Sequence, residues 1–172
     1  GEGSVSIRID DQDGKLDLNG MVSGNNPQAI MIDRFYRLLN ALEVDSKADP
    51  AELTAALIDW LDSGDEHHTM IYTDGQSLPA SGAEGVYYQS LAVPYSCKNG
   101  PLETLQELSL VKGFTAEIVK LLTPHLAVNG TLQTNINTAS AAVIKSLDLQ
   151  ISNETAETIM EYRKETPIEN VA

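Results

Sequence analysis

The chain contains a single cysteine, Cys97, which excludes an intrachain disulfide framework and a paired-cysteine redox or zinc knuckle. No apolar run approaches the roughly 20 residues that a membrane-crossing helix needs, and the first residues do not read as a signal peptide. Aromatic residues make up only 5% of the sequence. Positive charge is scarce too: 11 Lys and Arg stand against 25 Asp and Glu, a net charge of −14 spread along the chain. Such a surface repels phosphate backbones and anionic head groups, so nucleic acid and membrane surfaces are poor partners, and cations or basic protein surfaces are better ones. Catalytic patterns are missing as well. Gly82-Ala83-Glu84-Gly85 lacks the lysine and the preceding strand of a phosphate loop. No motif surrounds Cys97 to activate it as a nucleophile, and His125, after Pro124, reads as a cap or surface residue. An enzyme is not expected.

What is present is enough apolar material, 42% of 172 residues, for one real core or two small ones. Ser4 to Asp10 and Lys15 to Asn19 alternate apolar and polar residues around Asp13-Gly14, which predicts an opening hairpin. Asn26-Pro27 predicts a helix start, with Ile30, Met31, Phe35, Leu38, Leu39 and Leu42 as its apolar stripe. Asp49-Pro50 starts another, carrying Leu53, Ala56, Leu57, Trp60 and Leu61. From Ser63 to Ala80 the chain turns polar, which predicts an irregular loop. Asn99-Gly100-Pro101 should open a helix with Leu102, Leu105 and Leu108, ended by Gly113. Further helices are expected over 115–122, over 139–147 behind a Thr138 cap, and over 152–164, with an extended stretch at 132–137. The order predicts α+β with a dominant helical part, two strands followed by about seven helices. Gly1-Glu2-Gly3 and the end at Asn170-Val171-Ala172 read as the boundaries of a piece of a longer chain.

The densest chemistry lies in Asp59, Asp62 and Asp65, followed by Glu84 after Ser81-Gly82-Ala83. Asp59 and Asp62 are three apart at the end of a helix and share a face. They also oppose the negative end of its macrodipole, at a cost of roughly 0.3–1 kcal/mol each when exposed. Four carboxylates on a Gly-rich loop repel one another unless a cation sits among them, and hard oxygen donors suit calcium, Ca2+. A solvated acidic face is the competing reading. His67-His68 lacks a second spaced pair for zinc and reads as an exposed polar tip. Asp62 and Glu84 as a hydrolytic acid–base pair would leave the glycines and the number of acids unexplained. Tyr87, Tyr88 and Tyr95 are expected to pack this loop onto the helices.

Taken in order, several stretches resemble general secretion pathway protein K, the large minor pseudopilin of bacterial type II secretion. They are Ile7 to Asn19, Leu57-Ile58-Asp59-Trp60-Leu61-Asp62, Gly82-Ala83-Glu84 with Tyr88, Pro94-Tyr95 with Lys98 to Leu102, Glu107-Leu108 with Val111-Lys112-Gly113, and Asn135 to Ala139. The resemblance implies pilin-like β-strands at the N-terminus (residues 1–24) and a large, mostly helical insert in two small subdomains. Residues 25–113 would carry the acidic loop, and residues 114–172 would be helix-hairpin-helix-like. It implies calcium at Asp59, Asp62, Asp65 and Glu84, although Gly85 stands where the family often has another acid. It further implies a periplasmic domain at the tip of the pseudopilus, joined to minor pseudopilins of the I and J types and meeting secreted substrates or the secretin. The inner-membrane anchor helix and the later strands of the pilin sheet are not found in this sequence. A second resemblance, of Asn135 to Ser140 with Ala156, Ile159 and Tyr162-Arg163-Lys164, is to helix-hairpin-helix DNA-binding modules. Its hairpin, Leu149-Gln150-Ile151-Ser152, has no glycine and sits in negative surroundings, which disfavours a phosphate.

Overall fold

The structure, a computed structural model, describes residues 3–7 and 11–169. The Asp13-Gly14 turn forms, with Lys15 N donating to Gln12 O at 3.1 Å, but the expected hairpin does not follow it. Ser4 to Ile7 take no strand, Val5 and Ile7 stand in solvent, and Arg8, Ile9 and Asp10 lie outside the described residues, as do Asn170 to Ala172. Strand β1 (Leu16–Asp17) instead pairs in parallel with Leu126–Ala127. Burial decides this: Leu16, Leu18 and Met21 are all inside the core, and the Asn19 amide pins the turn by donating to Leu102 O and Val128 O.

Asn26-Pro27 proves to be strand rather than helix start, β3 (Asn26–Pro27) pairing antiparallel with β2 (Val22–Ser23). Helix α1 (Ala29–Ala41) begins just beyond, behind Gln28. It buries Met31, Ile32, Phe35, Leu38 and Leu39, whereas Ile30 faces water. Helix α2 (Pro50–Leu61) starts as expected, with the Asp49 side chain accepting from Ala51 N and Pro50 in the first turn. It is buried along almost its whole length and packs on α1.

The segment expected to be irregular contains a regular hairpin, β4 (Met70–Thr73) against β5 (Gln76–Pro79). Asp74 and Gly75 turn it with φ of 49° and 73°, the left-handed pair that a two-residue hairpin turn of this twist requires. Helix α3 (Gly85–Gln89) follows. No helix opens at Asn99-Gly100-Pro101; a 3-10 turn over Leu105–Leu110 forms later, under a capping box made by Thr104 and Glu107. Gly113, at φ 86° with Leu53 Cδ2 2.8 Å from where a Cβ would stand, ends that region as expected.

Helix α4 (Ala116–Leu122) is capped by Thr115 and leads into β6 (Leu126–Ala127), the partner of β1. Residues 132–137 form bends and turns rather than an extended strand. Helix α5 (Ala141–Leu147) is capped by Ser140, not Thr138, because the Thr138 hydroxyl donates to Asp11 at 2.6 Å. Helix α6 (Asn153–Glu165) forms where a helix over 152–164 was expected, with Ser152 as its cap. The chain is thus α+β with helix dominant and, among the described residues, three two-stranded sheets. One continuous cluster of buried apolar side chains runs from Leu16 to Ala156, and α1 lies along α5. No helix among the described residues is long and apolar enough to cross a membrane.

Candidate metal centre

The last turn of α2 drives two carboxylates into the protein. Trp60 and Leu61 are buried on the same turn, so the helix cannot rotate Asp59 and Asp62 outward without exposing them. Asp59 is fully buried and Asp62 is 5% exposed. The chain then folds back. Gly64 N donates to Asp62 Oδ1 at 2.7 Å, and the Asn99 amide holds Gly64 O at 2.8 Å. His68 N donates to Asp59 Oδ1 at 3.0 Å. His68 Nδ1 lies 2.5 Å from the same oxygen and 3.9 Å from Asp62 Oδ2. Glu84, at the start of α3, supplies the third buried carboxylate.

Glu84 is the anomaly. It is 5% exposed, and neither of its oxygens meets a hydrogen-bond partner. Burial, reinforced by the charges of Asp59 and Asp62, pushes its carboxyl up to about 7, and the neighbouring Cys97 thiol only partly opposes this. Asp62 is also raised, chiefly by burial. His68 is raised in turn, first by its hydrogen bond to Asp59. Three acids and one imidazole therefore share a poorly hydrated space with too little positive charge.

Close approach of the 81–84 segment to α2 depends on Gly82. A Cβ there would stand 1.9 Å from Asp59 Oδ2. Gly82 N donates to His68 O at 2.9 Å, and Lys112 Nζ clamps the same segment by donating to Ser81 O at 2.7 Å. Tyr88 and Tyr95 meet Trp60 edge-on at 5.1 and 6.4 Å, so the tyrosine group does pack this segment onto α2. An open cleft of about 310 Å3, lined by Asp65, His67, Ser81, Glu84, Tyr87 and Lys112 among others, leads from solvent to Glu84.

Of the four acids expected to meet, Asp59, Asp62 and Glu84 are buried together. Asp65 is exposed at the rim and acts on Glu84 through its charge. His67 is exposed as expected, but its neighbour is not: His68 is half-buried and faces the acids. Ligand atoms of Asp59, Asp62 and His68 lie within 4.8 Å of one another. The one sequence signal that could have turned His68 inward was the Asp74-Gly75 hairpin, which draws both ends of 68–82 together. The donor set and the orphaned carboxylate of Glu84 fit a divalent cation. The α5–α6 connection carries Asp148, whose carboxylate caps Gln150 N at 2.9 Å, and α6 opens with Glu154. Nothing there favours binding of DNA.

A family model for protein K of the type II secretion system (T2SS) matches residues 14–131, and a second one of the same description matches residues 134–172. Type II secretion system protein K of Pseudomonas aeruginosa is 29% identical over 161 residues, which is 94% of this chain and 45% of that protein. The Aeromonas hydrophila protein of the same name is 28% identical over 148 residues, 80% of this chain and 41% of its own length. That of Klebsiella pneumoniae is 28% identical over 142 residues, 80% and 40%. The chain thus spans less than half the length of these relatives. The fold is similar, with a TM-score of 0.61 and 19% identity over 80% of this chain and 47% of the other, to a chain in the crystal structure of the GspK-GspI-GspJ complex from the enterotoxigenic Escherichia coli type 2 secretion system.

Proposed function

The chain belongs to the type II secretion system protein K family, and from that premise we propose that it is part of a minor pseudopilin, a structural subunit that works by presenting surface rather than by turning over substrate. In this reading it sits at the periplasmic tip of the pseudopilus, in a protein anchored in the inner membrane. It assembles there with minor pseudopilins of the I and J types and meets secreted substrates or the secretin. The observation that carries the reading is the continuity of the family match, from residue 14 to the end of the chain with a gap of only two residues. The complex in which the similar fold is found, GspK-GspI-GspJ, supports the choice of partners. Co-elution with candidate I- and J-type pseudopilins tests it; a fragment that elutes alone from a mixture in which those two bind each other counts against it.

Calcium is the proposed cofactor, held by Asp59, Asp62 and Glu84 with Asp65 completing the shell from the rim. Its work is mechanical: the ion would join the end of α2 to the start of α3 and close the chain between them. Six to eight oxygens are usual for this ion, so main-chain carbonyls and water are expected beside the carboxylates. A cation bound only by the native state stabilises it by mass action, about 2.7 kcal/mol at a hundred times its Kd. Chelation should therefore lower the Tm, and Asp62→Ala should remove most of the response to calcium. An identical melting curve with and without chelator would refute the metal reading and leave the assembly role standing.

A further inference from the structure

The turn end of the β4–β5 hairpin stands over a second recess. A cavity of about 400 Å3 opens there between α1, the hairpin and the end of α5, walled by Tyr36, Thr73, Leu78, Lys145 and Leu149 among others, and none of its lining residues belongs to the acidic cluster. Leu149 is 68% exposed, and the buried Thr73 hydroxyl meets no hydrogen-bond partner. Two of the charged groups around the cavity are already engaged: Arg37 grips Asp74 at 2.5 Å, and the Asp148 carboxylate receives Gln150 N at 2.9 Å. Lys145 is different. It is half-buried and, among the described residues, its ammonium enters no ion pair, so it is left to an acid from outside.

The cavity opens along β5, since it touches Gln76 and Leu78 there but only Thr73 on β4. Ala80 N donates to Thr69 O at 2.9 Å, and bonded pairs alternate along an antiparallel ladder. With the register Ile71↔Leu78 and Thr73↔Gln76, those two pairs are bonded, and the N–H and C=O of Ser77 point away from β4. Among the described residues no other strand joins them. Edge strands are commonly blunted by charged side chains; Gln76, Ser77 and Leu78 carry none, in a chain of net charge −14. We propose that the β5 edge and this cavity together form a docking groove for an extended segment of another protein, which adds as a third strand beside β5. Main-chain bonds to Ser77 would hold the segment, and its inward-facing side chains would select it: an acidic one for Lys145 and, two residues away, an apolar one between Leu78 and Leu149. This docking requires neither the cation nor the pseudopilin partners proposed above.

A short acetylated and amidated synthetic peptide that alternates Thr with Leu, and carries Glu at one of the Leu positions, is the probe, titrated into the full chain and followed by amide NMR. It should bind, and its Glu-to-Lys counterpart should bind at least about tenfold more weakly, because like charges then meet. Lys145→Glu should invert that preference. Ser77→Pro removes only an outward N–H, which an edge strand tolerates, and should abolish binding of both peptides. In the wild type, bound peptide should slow exchange of the Ser77 amide and leave that of Tyr72, on the β4 edge, unchanged; this readout decides if either variant folds poorly. No binding at about 1 mM peptide, a Ser77 amide that exchanges as fast with peptide as without, or a charge preference indifferent to Lys145→Glu would each overturn the proposal. So would a dimer of the wild type that Ser77→Pro dissolves, which would give the edge to a second copy of the chain.

Discussion

Gly82 shows how much one missing methyl group decides. Asp59 Oδ2 occupies the space a Cβ would need, at 1.9 Å, so Gly82→Ala must push the 81–84 segment away from α2 or turn Asp59 out of its buried position. Overpacking of this kind costs about 1–3 kcal/mol. The variant should melt lower by that amount and lose most of its response to added cation in a thermal melt; a variant with the wild-type cation response would show that Asp59 and Glu84 need not approach. His125 makes a different point. Burial lowers its tendency to take a proton, and Nδ1 meets the hydroxyl of Ser140, the cap of α5, at 2.7 Å. The folded state therefore binds fewer protons at this ring than the unfolded one. Its contribution is complete above the ordinary histidine pKa of about 6.5 and is lost as pH falls below it. In urea titrations at pH 7.5 and 5.5, the wild type should lose more stability than His125→Gln over that interval. Equal losses would mean the ring is protonated in place without cost.

Among the elements, the β4–β5 hairpin has the most specific attachment. Arg37 on α1 grips the turn residue Asp74, Nε to Oδ1 at 2.9 Å and Nη2 to the same oxygen at 2.5 Å. It also donates to Ser146 O at the end of α5 at 3.0 Å, while Asp33 receives Asp74 N at 2.9 Å. Both charged side chains are largely shielded, at 16% and 12% exposure, so the pair is stronger than an ordinary surface ion pair. Arg37→Met should cost about 1.5–3 kcal/mol and speed amide exchange in 70–79 more than in α2. A double-mutant cycle with Asp74→Asn, which keeps the left-handed turn, should give a coupling of about 0.5–3 kcal/mol; additive effects would demote the clamp to an incidental contact. Elements marked by local chemistry were legible beforehand: α2 with its Asp49-Pro50 start, α4 behind Thr115 and α6 behind Ser152. Asp74-Gly75 was an equally local signal, hidden by the polar run around it. The β1–β6 pairing was not legible, because Leu16-Asp17 and Leu126-Ala127 are joined by burial of their apolar neighbours and by Asn19, not by a turn between them.

At the scale of the whole molecule, a net charge of −14 works against compactness, since like charges lie closer in the folded chain than in the open one. Raising sodium chloride from about 10 to 150 mM shortens the Debye length to about 8 Å and should raise the Tm by screening alone. Calcium at matched ionic strength should raise it further, and the excess should vanish in Asp62→Ala. Salt and calcium acting alike would reduce the acidic cluster to one more part of the charged surface.

The amino-acid sequence by itself determined the sign and spread of the charge, the lack of an intrachain disulfide, the buried face of α2 and most of that of α1, and the acids Asp59, Asp62 and Glu84 as the place to look, because composition and short-range periodicity are local properties. Only the tertiary structure decided that Asp65 stays at the rim, that His68 turns in toward Asp59, and that Gly82 must be bare. Each of these depends on how closely α2, the hairpin and the start of α3 approach one another, and that distance is set by the burial of Trp60, Leu61, Ile71 and Tyr88 together in one core.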